Sequence, residues 1–559
     1  MMYHTKGRDL EQQYLLPVNI KEWLPEDDFS HIIIDIVSVL DLSEIYSAHR
    51  EDGQGAAFYY PEIMTGITLY TYVRGARSSR EIEKLCKYDV GYRIVSRNSY
   101  PDHTTISRFF QKYGSTLGSL FVQILRLMNE AGIVSNHVLA VDGTKIKANA
   151  SLSANMTYEK LEAAITSRIN EILSKDIEED ALYGPDRSGD EVPDCLRTRD
   201  ERLRRLRAAK LRLEDEQKIQ SEDAKEKIQS REEEEMETGR KKRGRKPKPP
   251  QKTPAPEKVA NTTDPDSSIM KSGTSHIQGY NAQAFANQDG IILAASVTNS
   301  AADYNQLDPM MQELFAVAEQ TGISLMNILV LADAGYWSYQ NYLVMINHPF
   351  QFLCSTCHER DVFLIRGSPR FLLEIGDVCS GDYHPCPAIL AACGDWCFRN
   401  LLSENEMSTP AAITRKIMET RMEPISMKRK YSRRKTIIEP IFGWIKENRS
   451  IRKFQCRGTI RCDNEWKLIC ITQNLRVVIA RGWWSKIKTV IMTTKNRAVC
   501  EGVGSFSGLM DLFLGKFSLR KYFINPNYSF WELGNGLLID IFWFIEIDFV
   551  KIDKCTVLK

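Results

Sequence analysis

The stretch His137-Val138-Leu139-Ala140-Val141-Asp142-Gly143-Thr144 sets four apolar side chains in a row against an acid, a glycine and a threonine. A short apolar run closed by turn-forming residues reads as a buried β-strand, here one that delivers an acid near its end. A second run of this kind, Asn327-Ile328-Leu329-Val330-Leu331, leads into Ala332-Asp333-Ala334-Gly335. Between the two, Ile277 to Phe285 and Ile291 to Thr298 read as strands joined by the turn Asn287-Gln288-Asp289-Gly290. Helix-patterned segments, Asp308 to Glu319 and Ser338 to Ile346, surround the second acid-bearing run. Parallel strands flanked by helices make an α/β core.

Toward the N-terminus, residues 1 to about 135 read as helical. Pro61 to Arg74 carries Ile63, Ile67, Tyr70 and Val73 at helical spacing. Ser78-Ser79-Arg80-Glu81 has the form of a capping box, with Ser78 accepting from the Glu81 amide. Pro101-Asp102-His103-Thr104-Thr105 punctuates the chain before a further helix, Ile106 to Tyr113. Short capped helices suit a helix-turn-helix DNA reader and equally a plain helical bundle.

Two insertions interrupt the core. Residues 159–258 are dominated by charge, with Leu203, Leu206, Leu213 and Ile228 too sparse for a sustained heptad seam, which predicts a solvated helical hairpin or a partly disordered arm. It ends in the basic run Arg240 to Lys248. The Gly244-Arg245-Lys246-Pro247 centre of that run, with Arg243 before it, resembles an AT-hook whose arginines enter a narrow minor groove; a solvated linker is the plainer reading. The second insertion, about 350–424, holds Cys354-Ser355-Thr356-Cys357-His358, then Cys379, His384, Cys386, Cys393 and Cys397. Such cysteine pairs offer either a structural Zn²⁺ site or free thiols. The first string also matches a haem-attachment pattern, set aside because nothing marks the chain for export. Beyond about 485 the chain is aromatic-rich without clear periodicity.

With 559 residues the chain exceeds a single core, and 43% hydrophobic against 26% charged residues excludes a wholly disordered protein. Met1 to Glu22 has no apolar signal region, and Gly536 to Val550 is too short and too acidic to span a bilayer. A cytoplasmic protein without membrane partners is expected, its 13 cysteines mostly reduced. The net charge of +2 conceals a local excess. From 428 to 461 there are twelve Lys or Arg against two acids, Glu439 and Glu447, a balance suited to phosphates.

Three acids therefore stand out: Asp142 and Asp333 at the ends of apolar strands, and Glu439 amid positive charge on an expected helix from Arg434 to Glu447. Carboxylates converging from two strands and a helix offer hard oxygen donors for Mg²⁺ or Mn²⁺. Two such ions about 4 Å apart activate an attacking oxygen and stabilise the leaving oxygen of an in-line phosphoryl displacement. Lys446 lies two turns after Glu439 on nearly the same face, with Gly443 between them leaving room for a close backbone. Ile438, Ile441 and Ile445 form the opposing stripe that would fix the helix to the core.

Several strings, in order, carry a family likeness: Ser78 to Glu83, Pro101 to Phe109, Val141 to Ser151, Gly279-Tyr280-Asn281-Ala282-Gln283, Ala332 to Tyr336, and Ile438 to Lys446, extended by Glu465-Trp466 and Asn474-Leu475. Over about 55–480 the chain resembles the prokaryotic insertion-sequence transposases of the DDE class, in the IS-four/IS-five-like superfamily with a helical N-terminal domain. The resemblance implies an RNase H-like mixed sheet with flanking helices, and Asp142, Asp333 and Glu439 as the metal-binding catalytic triad. It also implies that Tyr431, Arg434 and Lys446 act in a Tyr-Arg-Glu-Lys signature contacting DNA. The spacing departs at one step: the family places Arg four residues before Glu, where this chain has Lys435, with Arg434 one further back and Tyr431 displaced likewise.

The expected organisation is a helical DNA-binding domain over 1–135 and a catalytic domain assembled from 136–158, 265–346 and 425–482. The charged insertion over 159–264, the Cys-rich insertion over 347–424 and a tail over 483–559 complete it. Such a protein would bind the terminal inverted repeats of its element as a homodimer, cut double-stranded DNA and join the freed 3′-OH to target DNA. Two competing readings stand beside it, an RNase H-like nuclease without strand transfer and a non-enzymatic DNA-binding regulator.

Overall fold

The computed structural model describes residues 19–49, 58–183, 194–239, 249–251, 253–346, 350–356 and 410–502. The chain falls into two units, Met1–Ile491 and Met492–Lys559, and only 492–502 of the second are described. The first unit begins with helices α1 (Phe29–Val37), α2 (Ser43–Ser47), α3 (Pro61–Arg74), α4 (Ser79–Tyr88), α5 (Val90–Val95) and α6 (His103–Glu130). Pro61 opens α3 where its missing N–H costs nothing, and Gly75 closes it in the left-handed conformation. Apart from Glu62 and Arg74, α3 is buried along its whole length, so the other helices pack around it.

The capping box is absent: Ser78 makes no side-chain cap bond. Glu83, one turn into α4, instead accepts from the backbone N–H of His103 at 3.1 Å, so an acid of α4 satisfies an orphan donor of α6. Asp102 caps the same helix by accepting from Thr105 N at 2.6 Å. That helix does not stop at Tyr113. A local kink there (φ −110°, ψ 19°) absorbs the break before Gly114, and the apolar stripe continues through Leu117, Leu120, Phe121 and Ile124.

The sheet is built from β1 (Val138–Lys147), β4 (Ser268–Ser272), β5 (Ser275–Asn287), β6 (Ile292–Thr298), β7 (Leu329–Ala332) and β8 (Gln351–Cys354). Its order is β4-β5-β1-β7-β8, with β6 also pairing β5. It is mixed, as expected: β1, β7 and β8 run parallel, while β5 is antiparallel to β1, β4 and β6. The tight turn at Gly290 makes β5 and β6 a hairpin, which sets those two strands antiparallel. Helices α9 (Leu307–Thr321) and α10 (Tyr339–Ile346) carry the chain across to β7 and β8.

A small sheet of β2 (Asn155–Thr157) and β3 (Val259–Asn261) brackets the charged insertion, whose helices are α7 (Tyr158–Tyr183) and α8 (Asp194–Thr238). The sparse leucines suffice for a short seam, since Leu206 and Leu213 bury with Tyr158, Leu161, Ala209 and Ala260 in a separate small core. The basic run Arg240 to Lys248, with Arg243 and Arg245, lies outside the described residues.

The last segments are α11 (Pro410–Met422), α12 (Ile425–Ile437), α13 (Glu439–Gly443), a π-turn at Trp444–Asn448, α14 (Thr459–Ala480) and α15 (Trp484–Gly502). One hydrophobic core joins the N-terminal helices, the sheet and α14, which packs on α3, α6 and β6 around the buried Trp466. Polar ties cross the same boundary. Arg77 pairs with the buried Glu465, whose other bonds come from the Gln455 and Cys456 amides. Arg449, itself buried, donates to the Tyr72 carbonyl at 2.6 Å. Among the described residues no helix is long and apolar enough to cross a membrane.

Candidate active site

Parallel pairing of β1 with β7 runs from Val138↔Leu329 to Val141↔Ala332 and then stops. Asp142 and Asp333 are the next residues on the two strands, so the register itself sets them side by side. Asp142 is not at a strand end. β5 continues to pair with β1 from Asp142↔Ala284 to Lys147↔Gly279, which carries the strand five residues past the acid. Only Asp333 ends its strand, and it leads into a single 3₁₀ turn at Ala334–Tyr336.

The expected helix from Arg434 to Glu447 is interrupted at Ile438. Pro440 has no N–H for the helical ladder and its ring crowds the preceding turn, so α12 ends and α13 begins with Pro near its start. In an unbroken helix residues five apart point about 140° from one another. Across this break Arg434 and Glu439 nonetheless meet at 3.9 Å. Ile438, Ile441 and Ile445 are buried as expected and anchor the segment. Gly443 faces open space, with nothing within 4 Å of a Cβ there, so it makes no close approach to another backbone.

The Arg434 guanidinium gathers all three acids. Its Nη1 donates to Asp142 Oδ2 at 3.4 Å, and its Nη2 lies 3.2 Å from Asp333 Oδ1 and 3.9 Å from Glu439 Oε1. Exposure grades outward: the Arg434 side chain is 6% exposed, Asp142 20%, Asp333 45% and Glu439 52%. The arginine therefore forms the floor and the carboxylates open toward solvent, where a polyanion can reach them.

Burial pushes Asp142 up to about 6. The Gly143 N–H, which it accepts at 2.8 Å, and Arg434 pull it back, and the neighbouring charges of Asp333 and Asp303 add to the rise. Burial alone would lower Arg434, but Asp333, Tyr431, Asp142 and Glu439 outweigh it and hold the guanidinium more firmly charged. Lys446 is drawn down by burial first, and Lys145 and Arg452 beside it act in the same direction. Burial pushes Tyr431 up to about 12; it stands one turn before Arg434, in the field of Cys354 and Asp333. Lys435, by contrast, projects from the exposed side of α12. It is the arginine at the departing position, not the lysine at the expected one, that enters the cluster.

Cys354 is buried at the end of β8, and its thiol donates to the Asp333 carbonyl at 3.1 Å. It thus braces the backbone of an acid. The remaining zinc candidates, Cys357, His358, Cys379, His384, Cys386, Cys393 and Cys397, lie outside the described residues.

Among the described residues no group of three or more His, Cys, Asp or Glu is placed to hold a metal ion, and the cation at the centre of the acids is a guanidinium. The donor chemistry nevertheless fits a divalent metal. The set is oxygen-only and it opens to solvent.

Several neighbours escaped the sequence reading. Asn281 and Gln283 donate to Asp303 Oδ1 at 2.7 and 2.9 Å, and the Tyr336 hydroxyl donates to the Gln283 side-chain carbonyl oxygen. Two amides at i and i+2 in an apolar strand point to one face, and that spacing was a usable signal. Asp303, in the segment between β6 and α9, gave none.

Residues 18–112 match a family described as Transposase domain (DUF772), and residues 395–479 match one described as Transposase DDE domain. The second match contains Arg434, Glu439 and Lys446, and neither match contains Asp142 or Asp333. No curated protein and no solved structure matches the chain. Two separate transposase matches, one on the N-terminal helices and one over the last acid, support a DDE transposase.

Proposed function

We propose that the protein is a DNA transposase of an insertion sequence, of the IS-four/IS-five-like branch, with an RNase H-like catalytic core. The observation that carries this reading is the meeting of Asp142, Asp333 and Glu439 on Arg434, from two adjacent strands and a basic helical segment. Topology favours it too. An antiparallel β1-β5-β6 meander followed by two parallel crossover strands on the far side of β1 places two acids at neighbouring strand positions.

Asp142, Asp333 and Glu439 would hold Mg²⁺ or Mn²⁺. Bound there, divalent cations supply activation of the attacking oxygen and compensation of charge on the leaving oxygen. The chain's own groups do the rest. Lys446 fixes phosphate oxygens beside the acids, Arg434 holds the three carboxylates from beneath, Tyr431 walls the inner side, and the exposed Lys428, Arg429, Arg433 and Lys435 of α12 hold the backbone of double-stranded DNA. Cleavage by water at the terminal inverted repeats frees a 3′-OH and leaves a 5′-phosphate. Attack of that 3′-OH on a target phosphodiester then forms one bond as it breaks another, and a dimer brings two ends together.

The test uses labelled element ends with Mg²⁺. Asp142→Asn and Asp333→Asn should each abolish cleavage while leaving end binding nearly unchanged. Metal-dependent nicking retained by either variant sinks the assignment, and cleavage without joined product in the wild type favours a nuclease.

A further inference from the structure

β1 runs further than its parallel neighbour. Its pairing with β7 stops at Val141↔Ala332, yet β1 continues to Lys147, well past Asp142. On the edge that β7 leaves, the next backbone partner comes from the segment after the π-turn. Lys147 N–H donates to the Arg452 carbonyl at 3.1 Å, and Phe454 N–H donates to the Lys147 carbonyl at 2.8 Å. These bonds make an isolated parallel bridge of Lys147 with Lys453. The Asn149 side-chain amide donates to the Gln455 carbonyl at 2.8 Å, and Arg457 Nε donates to the Asn149 carbonyl at 3.0 Å. Two stretches distant in sequence are thus laced into one ribbon.

The ribbon is apolar beneath and cationic outside. Ile451 and Phe454 are fully buried, and the Phe454 ring meets Tyr280 edge-on at 6.0 Å. Lys147, Arg452, Lys453 and Arg457 are exposed. Glu447 pairs with Arg452, but among the described residues the side chains of Lys147 and Lys453 take no hydrogen bond or ion pair. Burial draws the neighbouring Lys446 down, and the charges of Lys145 and Arg452 add to it. Like charges gathered on a fixed backbone repel one another, and a polyanion relieves that repulsion.

The ribbon also has two defined ends. At one, Arg452 Nε donates to the Lys446 carbonyl at 3.3 Å, and Lys446 stands in the field of Asp142. At the other, Arg77, between α3 and α4, donates to the Lys453 carbonyl. At about 3.3 Å per residue Lys147 lies about 16 Å along β1 from Asp142, and a DNA strand climbs about 3.4 Å per nucleotide. The ribbon therefore covers phosphates within about five nucleotides of the one at the acids.

We propose that Lys147 and Lys453, with Arg452 and Arg457 beside them, form a phosphate-binding surface for the element's outermost base pairs, between the cut bond and the N-terminal helices. The contact is to the sugar-phosphate backbone and reads no bases. The inference rests on the transposase reading above.

The experiment measures binding of the full chain to a duplex element end in which single phosphates are replaced by neutral methylphosphonates. The double variant Lys147→Ala, Lys453→Ala removes two charges and keeps the backbone bridge, so its melting temperature should match wild type. Its slope of log affinity against log salt should be smaller by about 0.9 for each lysine. In wild type, methylphosphonates on the element side within about five nucleotides of the cut should weaken binding, and the double variant should no longer feel them. No such zone in the wild type, or the same zone and slope in the double variant, overturns this inference alone. Lost sensitivity confined to the flanking DNA overturns it too. Equal wild-type affinity for element ends and unrelated duplex overturns the transposase reading instead. Should the double variant fail to fold, Lys453→Gln alone must lose sensitivity at one of these positions, and full sensitivity overturns the proposal.

Discussion

Arg434 Nη2 lies 3.2 Å from Asp333 Oδ1, and the same guanidinium reaches Asp142, so one buried cation balances acids from two neighbouring strands. Removing it leaves those charges unanswered. Arg434→Ala should lower the stability of the metal-free protein by roughly 3–5 kcal/mol, read as a drop in melting temperature in chelator. Mn²⁺ should restore part of that stability. Arg434→Lys should rescue poorly, because a single ammonium cannot fork between two carboxylates.

The ionisation of Asp142 gives a pH signature in the metal-free protein. Its carboxyl, 3.8 in solvent and about 6 when folded, binds its proton more tightly in the native state. Stability therefore falls as pH rises across that window, and the full cost stands above about pH 6. Burial is the main cause, and the opposing pull of Arg434 does not cancel it. Asp142→Asn should raise the melting temperature in chelator at pH 7, by no more than about 3 kcal/mol equivalent. The gain should vanish below pH 4. A gain independent of pH would refute the account.

Two glycines should answer alanine in opposite ways. At Gly143 the new methyl group would crowd Asn281 Oδ1 and Asp303 Oδ1, at 2.7 and 2.9 Å. Gly143→Ala should cost about 1–3 kcal/mol by chemical denaturation. Gly443 is helical with empty space around it, so Gly443→Ala should be neutral or stabilising by up to about 1 kcal/mol.

The exposed face of α12 should act through phosphates without reading bases. Replacing Lys428, Arg429 and Arg433 by Ala should weaken binding equally to element ends and to unrelated duplex. The slope of log affinity against log salt should shrink by about 0.9 for each phosphate that is no longer neutralised. Selective weakening for element ends would mean that this face reads sequence.

Much of this was legible before any coordinates. Apolar runs at Val138–Val141 and Leu329–Leu331 mark β1 and β7, and Asp142 and Asp333 follow them because the register ends there. The direction of β5 against β1 was hidden in its own residues, since a buried run looks alike in either sense; the mixed sheet that forms is the one the resemblance implied. The choice between Arg434 and Lys435 was hidden as well. Counting residues assumes an unbroken helix, although Pro440 was there to warn against it. Asp303 could not be read from its neighbours, because a loop aspartate acquires meaning only from the amides that β5 brings to it.

Finally, the ties of Arg77 to Glu465 and of Arg449 to the Tyr72 carbonyl pin the N-terminal helices to α14 and to the segment that follows Glu439. If those helices grip the element's terminus, the molecule acts as a calliper. The span from gripped bases to severed bond is then set by protein dimensions, so spacer composition can drift freely while one added or deleted base pair should misplace the cut.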